Sequence, residues 1–279
     1  MKPGCWIAIM WQVLNKTDMK LRILGNIIIL SLVLSGCVKN VKPINIIQLP
    51  DENGHKTGFT CTGLAWDDLE KAWLIGDIGK LHENEEKFYP CIRVVSEDFS
   101  QINRTISLFD KFPLMKTIQG SGIDKKDGTL YICSFDENLI RHMDRKGNAI
   151  DSISIQNPTG IVYDGRNDEL IVLTYDRIVR MDKTGNIKSH FKFKEKGQDQ
   201  IYLFGDKLYV TYGLNYHKPQ YLRVLDASGD EIQTYRMLES YAIEGVAVKD
   251  SLVYILNDGV YHEAKIPENV VVQYKISDL

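Results

Sequence analysis

Three stretches of the 279-residue chain set acidic or amide side chains, glycine and histidine close together. They are Asp77-Ile78-Gly79-Lys80-Leu81-His82-Glu83 running to Pro90, Tyr212-Gly213-Leu214-Asn215-Tyr216-His217-Lys218-Pro219, and Asn257-Asp258-Gly259-Val260-Tyr261-His262-Glu263 running to Pro267. Carboxylates at strand ends are oxygen ligands for a hard cation such as Ca2+, and a nearby histidine can serve as general base toward a metal-polarised water. The same side chains can hydrogen-bond a polar ligand. Asp77, His82, Tyr216, His217 and His262 are therefore candidate ligand-binding residues, and Asp258 is a candidate metal ligand. His217 and His262 are the candidate bases of an ester, lactone or phosphoester hydrolase. A plainer role competes in each case: aspartate near glycine at a strand end closes a turn, and a histidine braces a long loop. Glu244, an acid among apolar residues at the head of a strand, must be paired or metal-bound if it is buried.

The elements that would position these residues repeat along the chain. A small residue opens a short apolar strand, an acidic turn follows, then a stronger apolar strand, then a third strand ending in Asp before a Gly turn. Copies begin at Gly63-Leu64-Ala65-Trp66, Gly122-Ile123-Asp124, Gly160-Ile161-Val162-Tyr163, Gln200-Ile201-Tyr202-Leu203 and Gly245-Val246-Ala247-Val248. Units of ~40 residues made of short strands, with no helical period, predict an all-β fold, a β-propeller of five blades. The wider gap from Leu108 to Ser121 leaves room for a sixth. The last unit lacks an outer strand, and Ile44-Asn45-Ile46-Ile47-Gln48-Leu49 is placed to supply it and close the ring. In such a ring the first-strand heads and the second-to-third loops share one face, so Asp77, His82, His217, Asp258 and His262 would gather there with Glu244 near the axis. The Lys and Phe alternation over 188–196 reads as an outer strand with one solvated face.

Thr62-Gly63-Leu64-Ala65-Trp66 with Trp73-Leu74-Ile75-Gly76-Asp77, and Ile243-Glu244-Gly245-Val246-Ala247-Val248 with Val253-Tyr254-Ile255-Leu256-Asn257-Asp258-Gly259, resemble the blade signatures of the SdiA-regulated and phytase-like propellers. These are related in pattern to the NHL and gluconolactonase-type families. The resemblance implies architecture first. It also implies a site, because Glu244 resembles the axial glutamate of calcium-dependent gluconolactonase-type propellers. Thr159 stands where those enzymes present an asparagine, and Asn157 would join Glu244 and Asp258 as a ligand only with a backbone shift.

Leu34-Ser35-Gly36-Cys37 closes an apolar run from Ile23 to Leu34 behind Lys20 and Arg22. It resembles a bacterial lipobox, which implies cleavage before Cys37 and acylation of its thiol. The run is short of the ~20 residues that span a bilayer. The expected organisation is an over-extended start over 1–18, a lipoprotein signal peptide over 19–36, a tether over 37–43 and one propeller over 44–279. That places the protein in the cell envelope, held to the membrane by lipid on Cys37, and Val38 in place of aspartate points to the outer membrane. Cys61, Cys91 and Cys133 then remain, either as one disulfide and one thiol or as three small core residues. From residue 43 on there are 28 Lys plus Arg against 36 Asp plus Glu, a net of −8 that speaks against nucleic acid. The nucleophile elbow, the phosphate loop and the His-Glu-x-x-His motif are absent. The expected function is a module binding a small molecule or a protein; the alternative is a calcium-dependent hydrolase on the loop-rich face.

Overall fold

Short β-rich runs broken every few residues by Asp, Asn and Gly permit strands and little else. The computed structural model of the chain describes residues 38–50, 60–79, 89–193 and 197–279. The proposed leader over 1–36, the lipidation residue Cys37 and the loop residue His82 lie outside the described residues.

Two short strands come first, β1 (Lys39–Val41) and β2 (Asn45–Gln48). Blade 1 is β3 (Cys61–Asp67), β4 (Ala72–Asp77), β5 (Cys91–Ser96) and β6 (Ile102–Ser107). Blade 2 is β7 (Ser121–Ile123), β8 (Leu130–Ser134), β9 (Leu139–Met143) and β10 (Ala149–Ser154). Blade 3 is β11 (Pro158–Asp164), β12 (Glu169–Thr174), β13 (Arg177–Met181) and β14 (Ile187–Lys192). Blade 4 is β15 (Gln198–Phe204), β16 (Lys207–Tyr212), β17 (Tyr221–Leu225) and β18 (Glu231–Met237). Blade 5 is β19 (Ile243–Lys249), β20 (Leu252–Asp258) and β21 (Asn269–Lys275), completed by β2 antiparallel to β21. The inner strands β3, β7, β11, β15 and β19 touch in turn, and β19 returns to β3, so the ring closes with five blades.

Residues 108–120 hold no sixth blade. Leu108, Phe112, Met115 and Ile118 are buried and fill the seam between blades 1 and 2. The segment read as a tether over 37–43 also departs from expectation, because Lys39–Val41 pairs in parallel with Tyr235–Met237 as a fifth strand of blade 4. Val41 is its buried anchor, packed beside Tyr235 and Met237, and the lone edge of β18 offers the ladder it needs.

The apolar core lies between blades, in one cluster per seam. The closing seam between blades 5 and 1 is aromatic, with Trp73 stacked on Phe99 at 5.0 Å and 4.6 Å from Tyr254. Near the axis the inner strands approach so closely that a Cβ on Gly120 would stand 2.5 Å from the Cα of Gly160. Only glycine allows that distance. The third-to-fourth hairpins of blades 2, 3 and 4 share one device. Asp144, Asp182 and Asp226 each accept backbone N–H groups two and four residues on, and Gly147, Gly185 and Gly229 follow with positive φ. Cys61, Cys91 and Cys133 are buried and form no disulfide with one another, which leaves the core role. The 188–192 part of the Lys and Phe alternation is indeed the outer strand β14, with its lysines exposed.

Candidate functional site: an acidic cup on the propeller axis

Four of the five inner strands are irregular where they enter the ring. Register shifts fall between Thr62 and Leu64, Pro158 and Gly160, Gln198 and Ile201, and Ile243 and Gly245. A bulge at a strand head turns a side chain out of the ladder. The result is a polar ring drawn from all five blades, Thr62, Gln119, Thr159, Asp199 and Glu244, lining a cavity of about 300 Å³. The head of β19 is fixed by buried amides: Gln220 Oε1 accepts from Ile243 N at 2.8 Å, and Asn257 Oδ1 accepts from Tyr241 N at 3.0 Å.

Two long loops build the wall on one side. The 259–268 loop returns sharply, with Ala264 N donating to Gly259 O at 3.0 Å, and it carries Tyr261 and His262 over the cavity. A Cβ on Gly259 would lie 1.9 Å from Ile266 O, so the return needs glycine. The 213–220 loop of blade 4 adds Tyr216, whose carbonyl accepts from Lys265 N at 3.1 Å. The Tyr216 and His262 rings stack at 4.1 Å.

Within the cup, among the described residues, no lysine or arginine meets the acids. His262 Nε2 and Glu244 Oε1 are 2.8 Å apart, and the Asp199 carboxyl is near enough to Glu244 for the two to raise the proton affinity of the pair. Two neighbouring buried carboxyl groups disfavour ionising together. Burial pushes Glu244 up to about 8. Burial first and the neighbouring Glu244 second push Asp258 up to about 8, and the same two causes raise Asp199. Tyr216 rises to about 12 through burial and the same acids, and Cys61, behind the wall, is raised by burial and by Asp258 and Glu244. Asp258 Oδ1 accepts from Tyr261 N at 3.1 Å, whereas its Oδ2 is buried without a hydrogen-bond partner. Both polar atoms of the Gln198 amide are in the same condition. The described lining contains three carboxyl groups, one histidine and no lysine or arginine.

Of the residues singled out in the sequence, the structure brings Glu244, Asp258, Tyr216 and His262 to this cup. Asp77 is directed elsewhere: its Oδ2 takes the Arg93 guanidinium at 2.8 Å and its Oδ1 accepts from Gly79 N at 2.7 Å, a turn and an ion pair beside the cavity. Burial raises the Asp77 carboxyl while Arg93 opposes it. His217 is exposed, with its backbone N donating to Asn215 Oδ1 in a local turn. Asn157 is exposed at positive φ, and Thr159, not Asn157, takes the axial place of blade 3. Among the described residues no group of three His, Cys, Asp or Glu side chains converges to hold a metal ion. The donors present thus do not fit the proposed Ca2+ set, since Asn157 is outside and Glu244 is engaged by His262 and Asp199.

Asp199 escaped the sequence reading. Its signal is positional: Thr62, Gln119, Thr159 and Glu244 each precede a glycine, and Asp199 is their counterpart. Gln200 replaces the glycine there and hides the register.

No family model matches the chain, and no curated protein matches its sequence. Solved structures share its fold at low identity. The glutaminyl cyclase of Myxococcus xanthus is 12% identical with a TM-score of 0.58, over 84% of this chain and 97% of that one. A luciferin-regenerating enzyme is 11% identical with a TM-score of 0.55, over 84% and 95%. A chain of a nidogen and laminin complex is 15% identical with a TM-score of 0.51, over 76% and 84%. At such identities the likeness is one of architecture, and the chain is similar in fold to propellers that include enzymes and a member of a protein complex.

Proposed function

We propose that the protein is a binding module that takes a small polar ligand into the axial cup and presents it at the bacterial cell envelope, anchored to the outer membrane by lipid on Cys37. The observation that carries the binding reading is the set of unsatisfied groups at the cup, Asp258 Oδ2 and the Gln198 amide. Buried polar atoms without partners are costly, and a ligand that supplies those partners recovers the cost. A concave site suits a small molecule better than a protein surface. The blade signatures quoted above support kinship with the SdiA-regulated and phytase-like propellers, and the lipobox-like Leu34-Ser35-Gly36-Cys37 supports the anchor.

One observation favours an enzyme as the second reading. Glu244, poised near 8 and 2.8 Å from His262, holds a proton at neutral pH that it can give to a leaving oxygen. In this arrangement a hydrolase acts through Glu244 as general acid, with His262 as the positioning residue. A calcium-dependent mechanism has weaker support, because the donors do not converge.

A metabolite library screened by thermal shift tests the binding reading. Ligands are expected that raise the melting temperature of the natural chain and lose that effect in Tyr216→Ala. Hits that persist in Tyr216→Ala place binding elsewhere and contradict the reading. Fatty-acid labelling that disappears in Cys37→Ser tests the anchor, and labelling that survives refutes it. A Ca2+-dependent rise in melting temperature, lost in Glu244→Gln, would instead favour the calcium enzyme.

A further inference from the structure

The carboxyl groups of the cup differ from the other buried acids, Asp67, Asp77, Asp124 and Asp164, each of which has a lysine or arginine beside it, by having among the described residues no basic partner except His262. Two of them, Glu244 and Asp258, are at least nine-tenths buried. Asp258 Oδ2 has no hydrogen-bond partner, and neither has the Gln198 amide beside it. A neutral ligand with hydroxyl groups satisfies hydrogen bonds only. A ligand with a protonated nitrogen satisfies them and also stabilises the ionised form of acids that burial otherwise keeps protonated, so that an ion pair forms as it binds. An anionic ligand finds no lysine or arginine in the described lining to pair with. The opposite wall is the stacked pair Tyr216 and His262, and a tyrosine face attracts a cation through its ring quadrupole.

We infer that the cup is a site for an organic ammonium ligand, its N–H groups directed at Asp199, Glu244 and Asp258 and its carbon frame laid along Tyr216. This rests on the binding reading above and names the chemical class of its ligand. The ammonium stands where lysine or arginine stands beside the buried acids Asp67, Asp77, Asp124 and Asp164. His262, bonded to Glu244, sets the orientation of that carboxyl toward the ligand.

Calorimetric titration of the full chain with three matched probes tests the inference: 2-phenylethylammonium, 2-phenylethanol and phenylacetate, each at millimolar concentration. The ammonium probe is expected to bind, the alcohol and the carboxylate to bind at least about tenfold more weakly, and Asp258→Asn to lower ammonium affinity by about tenfold or more. Glu244→Gln provides a second variant, and the melting curve of each variant shows whether it is folded. Alcohol or carboxylate binding as tight as that of the ammonium, and lost in Tyr216→Ala, overturns the cationic class while leaving the cup a ligand site. Absence of binding by all three probes also overturns the class; the metabolite screen then decides separately whether the cup binds anything. Ammonium binding unchanged in folded Asp258→Asn and Glu244→Gln overturns the assignment to these acids.

Discussion

Around the far ends of the inner strands, a cavity of about 760 Å³ is lined by Asp68, Glu97, Asp164 and Asp250, and each has a cation near it. Lys125 meets Asp68 at 2.6 Å, Lys249 meets Glu97 at 2.8 Å and Asp250 at 2.9 Å, and Arg180 lies 3.5 Å from Asp164. Buried Asp67 at the same end takes the Arg145 guanidinium, with Nη2 to Oδ1 at 3.0 Å. At the near ends, among the described residues, Asp199, Glu244 and Asp258 have no lysine or arginine partner, and His262 meets Glu244 at 2.8 Å. The electrostatic outcome reverses accordingly. Against the burial that opposes it, Arg145 holds Asp67 below the usual carboxylate range, while burial carries Glu244 and Asp258 up to about 8. One fold thus uses the same residue types for joinery at one mouth and keeps them, among the described residues, without lysine or arginine at the other. Unpaired acids do not help the protein fold, which is why we assign them to ligand binding.

Removing a partner at the joinery end should have the largest effect. Arg145→Ala leaves Asp67 buried without its cation, held only by the backbone N–H groups of Leu69 and Glu70, and should cost ~3 kcal/mol or more of unfolding free energy, read by denaturant titration. A loss below ~1 kcal/mol would mean that the two mouths are not so different.

The next effect is the pH dependence of stability. Glu244 and Asp258 keep protons in the folded chain that the unfolded chain, with carboxyls near 4.5 and 3.8, has released. Folding therefore takes up protons between about pH 4 and 8, so their favourable contribution is full at the acid end of that window and is lost as pH rises toward 8. The fall should be on the order of a few kcal/mol, and Asp258→Asn or Glu244→Gln should flatten it. Asp67, with its lowered carboxyl, has the opposite sign and loses its contribution only as pH falls below the ordinary carboxylate range. A profile that rises steadily from pH 5 to 8 would contradict the unpaired state of the cup.

Smaller effects separate the histidines. His262→Ala removes the 2.8 Å contact to Glu244 and the 4.1 Å stack on Tyr216 and should cost about 1 kcal/mol. His217→Ala, at an exposed loop tip, should stay within about 0.5 kcal/mol and leave ligand binding unchanged. Equal effects at both positions would return His217 to the site.

What could be read from sequence follows the physics of each element. The hairpins announce themselves, because Asp144, Asp182 and Asp226 with the following glycines are local devices whose geometry depends on adjacent residues. Ring closure by β2 was legible because the last unit visibly lacked a strand. β1 was not, since its three residues form a strand only by borrowing the free edge of β18. Glu244 stood out as an acid in an apolar run. Asp199 did not, with Gln200 covering the glycine register, and its meaning depends on a partner 45 residues away that only the ring brings near. His217 and Asp77 shared the spacing of true cup residues, yet an exposed turn and the Arg93 side chain claimed them.

The central claim is that the axial acids are held without cations by the protein itself. Carboxyl ¹³C chemical shifts of Asp258 and Glu244, followed by NMR as pH is raised in the ligand-free chain, test it most directly. Half-titration near 8 for these groups is the predicted result. Titration of both near 4, as for ordinary solvent-exposed carboxyls, would contradict the account.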